Sequence, residues 1–133
     1  MPAYNFQARF APKLLDGSKH STIRGRAAKV GSTAYLFTGM RTKGCTCLGE
    51  GEIVHCAPIV LGYKQNGMPA AMLGKTQLTQ MELAALAVGD GFTDAREMLG
   101  WFETTYGVRI AAGDGGHYVY KGFLITWAPQ NDR

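Results

Sequence analysis

The order of predicted elements places this 133-residue chain in the α+β class, with several short strands curled into a small β-barrel. Strand patterns fill most of the first 73 residues, two helical patterns follow, and an aromatic strand pattern comes last. Eighteen residues are glycine, roughly twice the usual share, which fits many tight turns between short strands. The hydrophobic share of 46% is sufficient for one core, so we expect a single domain over residues 1–133.

The first elements are predicted from periodicity and from their boundaries. Residues 4–10 alternate apolar and polar side chains, which is the period of a half-buried strand. Pro12 near the start and Gly17 after the end indicate a short helix over residues 12–16. Residues 33–38 are β-branched and aromatic, which is typical of a buried strand.

Further strands are predicted in the middle of the chain. Residues 45–57 indicate a strand in which two glycines favour a bulge. Residues 58–63 and 68–73 flank Asn66-Gly67, the strongest short signal for a β-hairpin.

Helices dominate the next part of the sequence. Residues 79–82, Thr-Gln-Met-Glu, match a capping box and open a helix that ends near Gly89. Asp94 can cap a second helix, whose apolar residues recur at helical spacing until Gly107. Residues 118–127 are predicted to be the final strand.

Positive charge is concentrated near the start of the chain. Residues 1–43 hold eight basic residues against one acidic residue, a balance of +7, whereas the remaining six basic and nine acidic residues sum to −3. Such a segment favours a phosphate-rich partner, and its modest density favours a short strand or a single nucleotide over a long duplex. The alternative is a solvated positive face that binds nothing.

Several classes of protein are not expected. No apolar run approaches the roughly 18 residues of a membrane helix, and residues 1–10 lack the apolar segment of a secretory signal. Three cysteines in such a chain indicate free thiols in a reducing cytoplasm. We therefore expect a cytoplasmic protein without membrane association.

Cys45, Cys47, His55 and Cys56 suggest a zinc site, but their pattern is weak. Zinc needs four converging ligands, usually supplied as two close pairs. In one straight strand Cys56 would face away from the other three. Small buried thiols explain these residues more simply, so no metal is expected.

The most informative segment is residues 14–24. It places an ammonium at Lys19, a hydroxyl at Thr22 and a guanidinium at Arg24 directly after a glycine. These groups can bind phosphate, and the first two can also serve as base and nucleophile. On a straight strand Lys19 and Thr22 would face opposite ways, so a joint site requires a turn with the strand starting near Ser21 or Thr22. The alternative is an exposed basic loop.

The pattern L-x-G-x-K-x-x-T-I-R in this segment resembles the opening motif of ASCH domains, which have a PUA-like fold. A second similar segment is Asp90-Gly91-Phe92-Thr93-Asp94 with the helix that follows it. The resemblance covers most of the chain and is weakest over residues 58–80, which we interpret as an insertion. The matching positions of the opening motif are Leu15, Gly17, Lys19, Thr22, Ile23 and Arg24.

The resemblance implies a small β-barrel with a short N-terminal helix, two later helices and a cleft for single-stranded RNA or a modified nucleoside. Some small bacterial members hydrolyse the acetyl amide of N4-acetylcytidine without a metal or other cofactor. By position, the catalytic residues would be Lys19, Thr22 and Asp90, where the family enzymes have Glu at the acidic position. A neutral Lys19 would take the proton of Thr22, Thr22 would attack the acetyl carbonyl, and Asp90 would handle the proton delivered to the leaving amine.

Binding residues are also predicted. Arg24, Arg26 and Lys29 would attract phosphate, and an aromatic residue such as Tyr35 or Phe37 would stack on the base. A single-stranded ribonuclease remains an alternative. So does a non-catalytic interaction protein that uses residues 58–80 to contact a protein partner.

Overall fold

The computed structural model describes residues 2–107, 110–111, 113 and 115–129. The elements confirm the α+β order. Within the described residues there are eight strands, one 3-10 turn over Ala8–Phe10 and three α-helices. The strands are β1 (Ala3–Phe6), β2 (Ser21–Arg24), β3 (Thr33–Thr38), β4 (Thr46–Tyr63), β5 (Pro69–Leu73), β6 (Thr76–Gln77), β7 (Ile110–Ala111) and β8 (His117–Pro129); the helices are α1 (Ala11–Leu15), α2 (Gln80–Gly89) and α3 (Ala95–Tyr106).

All strands belong to one mixed sheet organised around two long neighbours, β4 and β8. One edge of β4 pairs first with β3 and then with β5, and β1 lies parallel to β3. The edge of β8 that faces away from β4 pairs first with β7 and then with β2. Because the sheet curls, it forms a half-barrel.

The half-barrel is open between β1 and β2, and we call this opening the seam. Among the described strands, β1 pairs with β3 alone and β2 with β8 alone. The side chain of Arg24 crosses the seam, since its Nη2 donates to the Asn5 carbonyl at 3.0 Å. Two strand edges therefore lie close together without pairing as strands.

Strand β4 differs from the prediction because it is one strand of 18 residues rather than two shorter ones. Its register with β3 is irregular near Gly49, which has φ +140°, so the predicted bulge is confirmed there. Pro58 is tolerated because one edge of β4 pairs with β3 only up to Glu52 and with β5 only from Ile59. Position 58 therefore needs no backbone N–H for a neighbouring strand on that edge.

The start and end signals of the helices are confirmed. Thr79 and Glu82 form the capping box of α2, and the Asp94 side chain accepts from the Glu97 backbone N–H at the start of α3. Gly107 ends α3 in the left-handed region, at φ +68°. Residues 8–10 form a 3-10 turn instead of continuing the first strand, which brings Phe10 into the core.

The core lies between the concave face of the sheet and the two longer helices. It contains the fully buried Ile53, Leu61 and Ile125 of the long strands and Leu83, Met98 and Leu99 of the helices. Phe6, Phe10, Phe92 and Phe102 continue this core toward the seam, where the buried surface becomes aromatic.

Candidate ligand-binding cleft

Four polar side chains are buried in the described part of the chain, and all four lie at the seam. Lys19, Ser21, Thr22 and Asp90 are each at most 5% exposed. Burying polar or charged groups is costly unless they are paired, and such groups concentrate at functional sites. This cluster is therefore the first candidate for a site.

The segment before β2 turns Lys19 toward the seam. Gly17 has φ +83°, a conformation that glycine adopts without strain. The Lys19 backbone N–H donates to the Lys13 carbonyl at 3.0 Å, and the His20 N–H donates to the Gly89 carbonyl at 2.9 Å. Strand β2 begins at Ser21, so Lys19 lies in the turn before the strand, and Lys19 and Thr22 line the same cleft. This is the arrangement that the sequence analysis required for a joint site.

The end of α2 places Asp90 against this turn. The Asp90 N–H still donates to the Leu86 carbonyl, and the chain then bends at Gly91, which has φ +100°. A Cβ at position 91 would lie 2.8 Å from the Phe10 ring and 2.9 Å from the Lys19 side chain. Only glycine fits there without a shift of its neighbours.

Lys19 and Asp90 form a buried ion pair. Lys19 Nζ lies 3.5 Å from Asp90 Oδ1 and donates to two backbone carbonyls, that of Asp90 at 2.6 Å and that of Ser21 at 2.7 Å. The Ser21 hydroxyl donates to Asp90 Oδ1 at 3.1 Å. Three oxygen acceptors therefore surround the Lys19 ammonium. The C-terminal end of α2 adds further negative potential there.

Burial acts on both partners of this pair. It lowers the pKa of Lys19, although the Asp90 carboxylate opposes the shift. It raises the pKa of Asp90, and the Lys19 ammonium and the Ser21 hydroxyl oppose that shift. The two pKa values move toward each other, which makes proton exchange between the groups easier than in water.

Arg24 holds the hydroxyl of Thr22. Its Nε donates to Thr22 Oγ1 at 2.9 Å, while its Nη2 bridges the seam to Asn5. The guanidinium also lies over the rings of Tyr4 and Phe6, at 5.1 and 5.0 Å from their centroids. The hydrogen bond and the positive charge favour a Thr22 oxygen that carries more negative charge.

The cleft at the seam has a volume of about 90 Å³ and walls that are largely aromatic. Trp101 lies against Phe92 and Phe102, with ring centroids 5.9 and 4.9 Å away, and Phe102 stacks on Tyr106 at 5.9 Å. The lining comprises Asn5, Phe6, Gln7, Phe10, Lys19, Thr22, Ile23, Arg24, Asp90, Phe92, Trp101, Phe102 and Tyr106.

Three of the predicted binding residues do not line this cleft. Arg26 and Lys29 are exposed and follow the end of β2, and Tyr35 lies in β3 opposite Ala3 and Glu50. Phe37 is also absent from the lining. The aromatic walls therefore come from elements other than β3.

The prediction missed Ser21, the amides of Asn5 in β1 and of Gln7 just after it, and the aromatic residues of α3. Trp101, Phe102 and Tyr106 recur at helical spacing, but this spacing alone predicts only that they share a face. The alternating pattern over residues 4–10 was a usable signal for both amides, because it predicts that Asn5 and Gln7 lie on one face of an extended segment.

The cysteines differ from the expectation of buried thiols. Cys45 and Cys47 are exposed, and Cys56 is half-buried with its Sγ 3.4 Å from the Ala28 backbone N–H. Their strand begins only at Thr46 and its first residues form an exposed sheet end. Across the described residues, no three His, Cys, Asp or Glu side chains converge as a metal site would require.

No protein-family model, curated protein or solved structure matches this chain. In the part of the chain that the structure describes, no helix is both long and apolar enough to cross a membrane.

Proposed function

We propose that this chain is a PUA-like domain of the ASCH type whose cleft binds the base of a nucleotide or modified nucleoside. The observation that carries the proposal is the cleft itself, in which buried polar groups and aromatic rings share one opening at the seam. Unpaired bases are recognised by stacking on aromatic or guanidinium planes together with hydrogen bonds to their edges. The cleft offers both kinds of group.

The arrangement of donors supports an acceptor-rich ligand. The amide oxygen of Asn5 accepts from the Met40 N–H, and that of Gln7 faces the Trp101 indole N–H at 3.4 Å. The NH₂ groups of both amides are then the ends that can donate to a ligand. Pyrimidine carbonyls and an acyl oxygen are suitable acceptors.

Trp101 offers a direct test, because it lines the cleft whereas Trp127 is buried in the core. We expect N4-acetylcytidine, or cytidine or uridine, to quench the tryptophan fluorescence in a saturable manner. The Trp101→Phe variant should lose the quenching, and the exposed variant Lys75→Gln, outside the cleft, should keep it. The absence of saturable quenching by any nucleoside would contradict the proposed function.

A second proposed function is hydrolysis of an acyl amide, because Lys19, Thr22 and Asp90 share the cleft and burial moves the pKa values of Lys19 and Asp90 toward each other. When Asp90 carries the proton, Lys19 is a neutral amine. It takes the proton of Thr22 as Oγ1 attacks the acyl carbonyl, and Asp90 gives its proton to the leaving amine. Water then cleaves the acyl ester of Thr22, releasing the acid and restoring the hydroxyl.

Incubation with N4-acetylcytidine, followed by chromatography for cytidine, tests this reaction. We expect Lys19→Ala to abolish product formation. Thr22→Val keeps the shape of the side chain and should retain nucleoside binding but lose hydrolysis. If activity survives in both variants, the mechanism is wrong; if the wild type binds but forms no cytidine, the cleft only binds.

A further inference from the structure

The loop between β3 and β4, residues 39–45, is anchored at the edge of the cleft. Strand β3 lies parallel to β1, with Thr38 opposite Phe6, so the loop starts beside the end of β1. The Met40 backbone N–H donates to the Asn5 side-chain oxygen at 2.9 Å, and Asn5 lines the cleft. The position of the loop is therefore coupled to the seam.

This loop presents two exposed cations, Arg41 and Lys43. Arg41 has φ +69°, the only residue other than glycine with a positive φ among the described residues. The Thr42 N–H donates to the Gly39 carbonyl at 3.1 Å, so residues 39–42 form a tight turn. Arg41 is the third of its four residues. A left-handed arginine costs about 1 kcal/mol or more, and such strain is frequent at binding sites.

A third cation lies at a different point of the rim. The Arg9 guanidinium lies 4.7 Å from the centroid of Phe10 and 5.5 Å from that of Phe92, two rings that line the cleft. Its Nη2 is held by Glu97 at 3.2 Å, and its side chain is 45% exposed. Arg9 is thus oriented by its neighbours while much of it remains open to solvent.

We propose that Arg9 and Arg41, assisted by Lys43, hold the phosphates that flank the nucleotide whose base enters the cleft, so that the ligand is a single strand of RNA rather than a free nucleoside. The inference rests on the proposed function, since it requires a base in the cleft. In this proposal the phosphates are bound by cations next to the cleft lining, and not by Arg26 and Lys29 as the sequence suggested. An unpaired base is needed to reach the aromatic walls, which favours a single strand over a duplex.

The test measures binding of a short fluorescein-labelled RNA of mixed sequence by anisotropy across a series of salt concentrations. Each lost phosphate contact should reduce the slope of log K against log salt by about 0.7. We expect Arg9→Gln and Arg41→Gln each to show this reduction with a several-fold loss of RNA affinity, and the double variant to lose about 1.4 in slope. Lys75→Gln, an equal change of charge outside the cleft, should leave the slope unchanged.

Nucleoside binding, read by Trp101 quenching, separates the two proposals. The rim variants should bind the nucleoside as the wild type does, because the base contacts remain. If the nucleoside binds but the RNA binds no more tightly and shows no salt slope, the rim proposal is wrong while the proposed function stands. If Arg26→Gln lowers the slope and Arg41→Gln does not, the phosphates lie elsewhere and the rim proposal is also wrong. If neither ligand binds, the proposed function itself fails.

Discussion

Two concave surfaces of this molecule differ in composition although strands of the same curled sheet contribute to both. The cleft at the seam is small, about 90 Å³, and contains buried charges. The second surface is a groove of about 210 Å³ on the part of the sheet built by residues 58–80 and the start of β8, which we call the extension. It is lined mainly by Val60, Tyr63, Ala70, Met72 and Tyr118, and none of the buried polar residues of the described chain lies there.

The difference shows that the volume of a concave surface does not indicate where charged groups are buried. The groove is mainly apolar and includes the half-exposed Met72, so it buries no charge that requires compensation. A buried lysine and aspartate must be compensated by a set of hydrogen bonds, and the cleft supplies that set. The smaller space is therefore the site proposed for the ligand.

The largest expected effect is that of Asp90→Ala, which leaves the Lys19 ammonium buried without its counter-charge. We expect a loss of about 3 kcal/mol or more in the free energy of unfolding, measured by urea denaturation. The double variant Lys19→Met with Asp90→Leu should recover most of this loss, because no unpaired charge remains. Met72→Lys in the extension should change stability by less than about 0.5 kcal/mol. A cost for Asp90→Ala no larger than that of Met72→Lys would remove the distinction between the two surfaces.

A pair of glycines sharpens the comparison at a smaller scale. Gly91 and Gly67 have similar positive φ angles, +100° and +85°, but a Cβ at Gly91 would press on Phe10 and Lys19, whereas one at Gly67 meets nothing within 4 Å. We expect Gly67→Ala to cost about 1 kcal/mol from backbone strain alone. Gly91→Ala should cost about 1–3 kcal/mol more, because the tight packing around Lys19 must shift. Equal losses in thermal denaturation would contradict this account of the cleft wall.

The smallest expected effect is on the dependence of stability on pH. The pKa of Asp90 is raised on folding, so the native state holds its proton longer than the unfolded state, and stability should fall as pH rises from the ordinary Asp value through the raised one. The pKa of Lys19 is lowered, so stability should rise as pH passes from its lowered value to the ordinary Lys value. Relative to the Lys19→Met, Asp90→Leu variant, the wild type should be least stable between these two windows. Parallel curves for the two proteins would show that the pair does not titrate as proposed.

Local sequence signals predicted the elements well where the cause is local. The capping box at Thr79, the stop at Gly107 and the β-branched run over Thr33–Thr38 depend on neighbouring residues, and the structure confirms them. The 18-residue β4 was missed because a proline and two glycines suggest a break. Its continuity depends on β8, which begins 54 positions after β4 ends and whose pairing extends across the expected break.

The candidate site likewise has one part that local sequence predicts and another that depends on long-range contacts. The sequence by itself determined that Lys19, Thr22 and Arg24 follow a glycine turn, because that arrangement is local, and its resemblance to the ASCH motif pointed to Asp90. Only the tertiary structure decided that Ser21 bonds to Asp90 and that Arg24 bridges to Asn5. It also decided that the aromatic walls come from α3 and from Phe6, Phe10 and Phe92 rather than from Tyr35. Those contacts join residues of different elements, and only the packing of the sheet against the helices brings them together. The sequence encodes the groups, whereas the arrangement of the elements determines which of them meet.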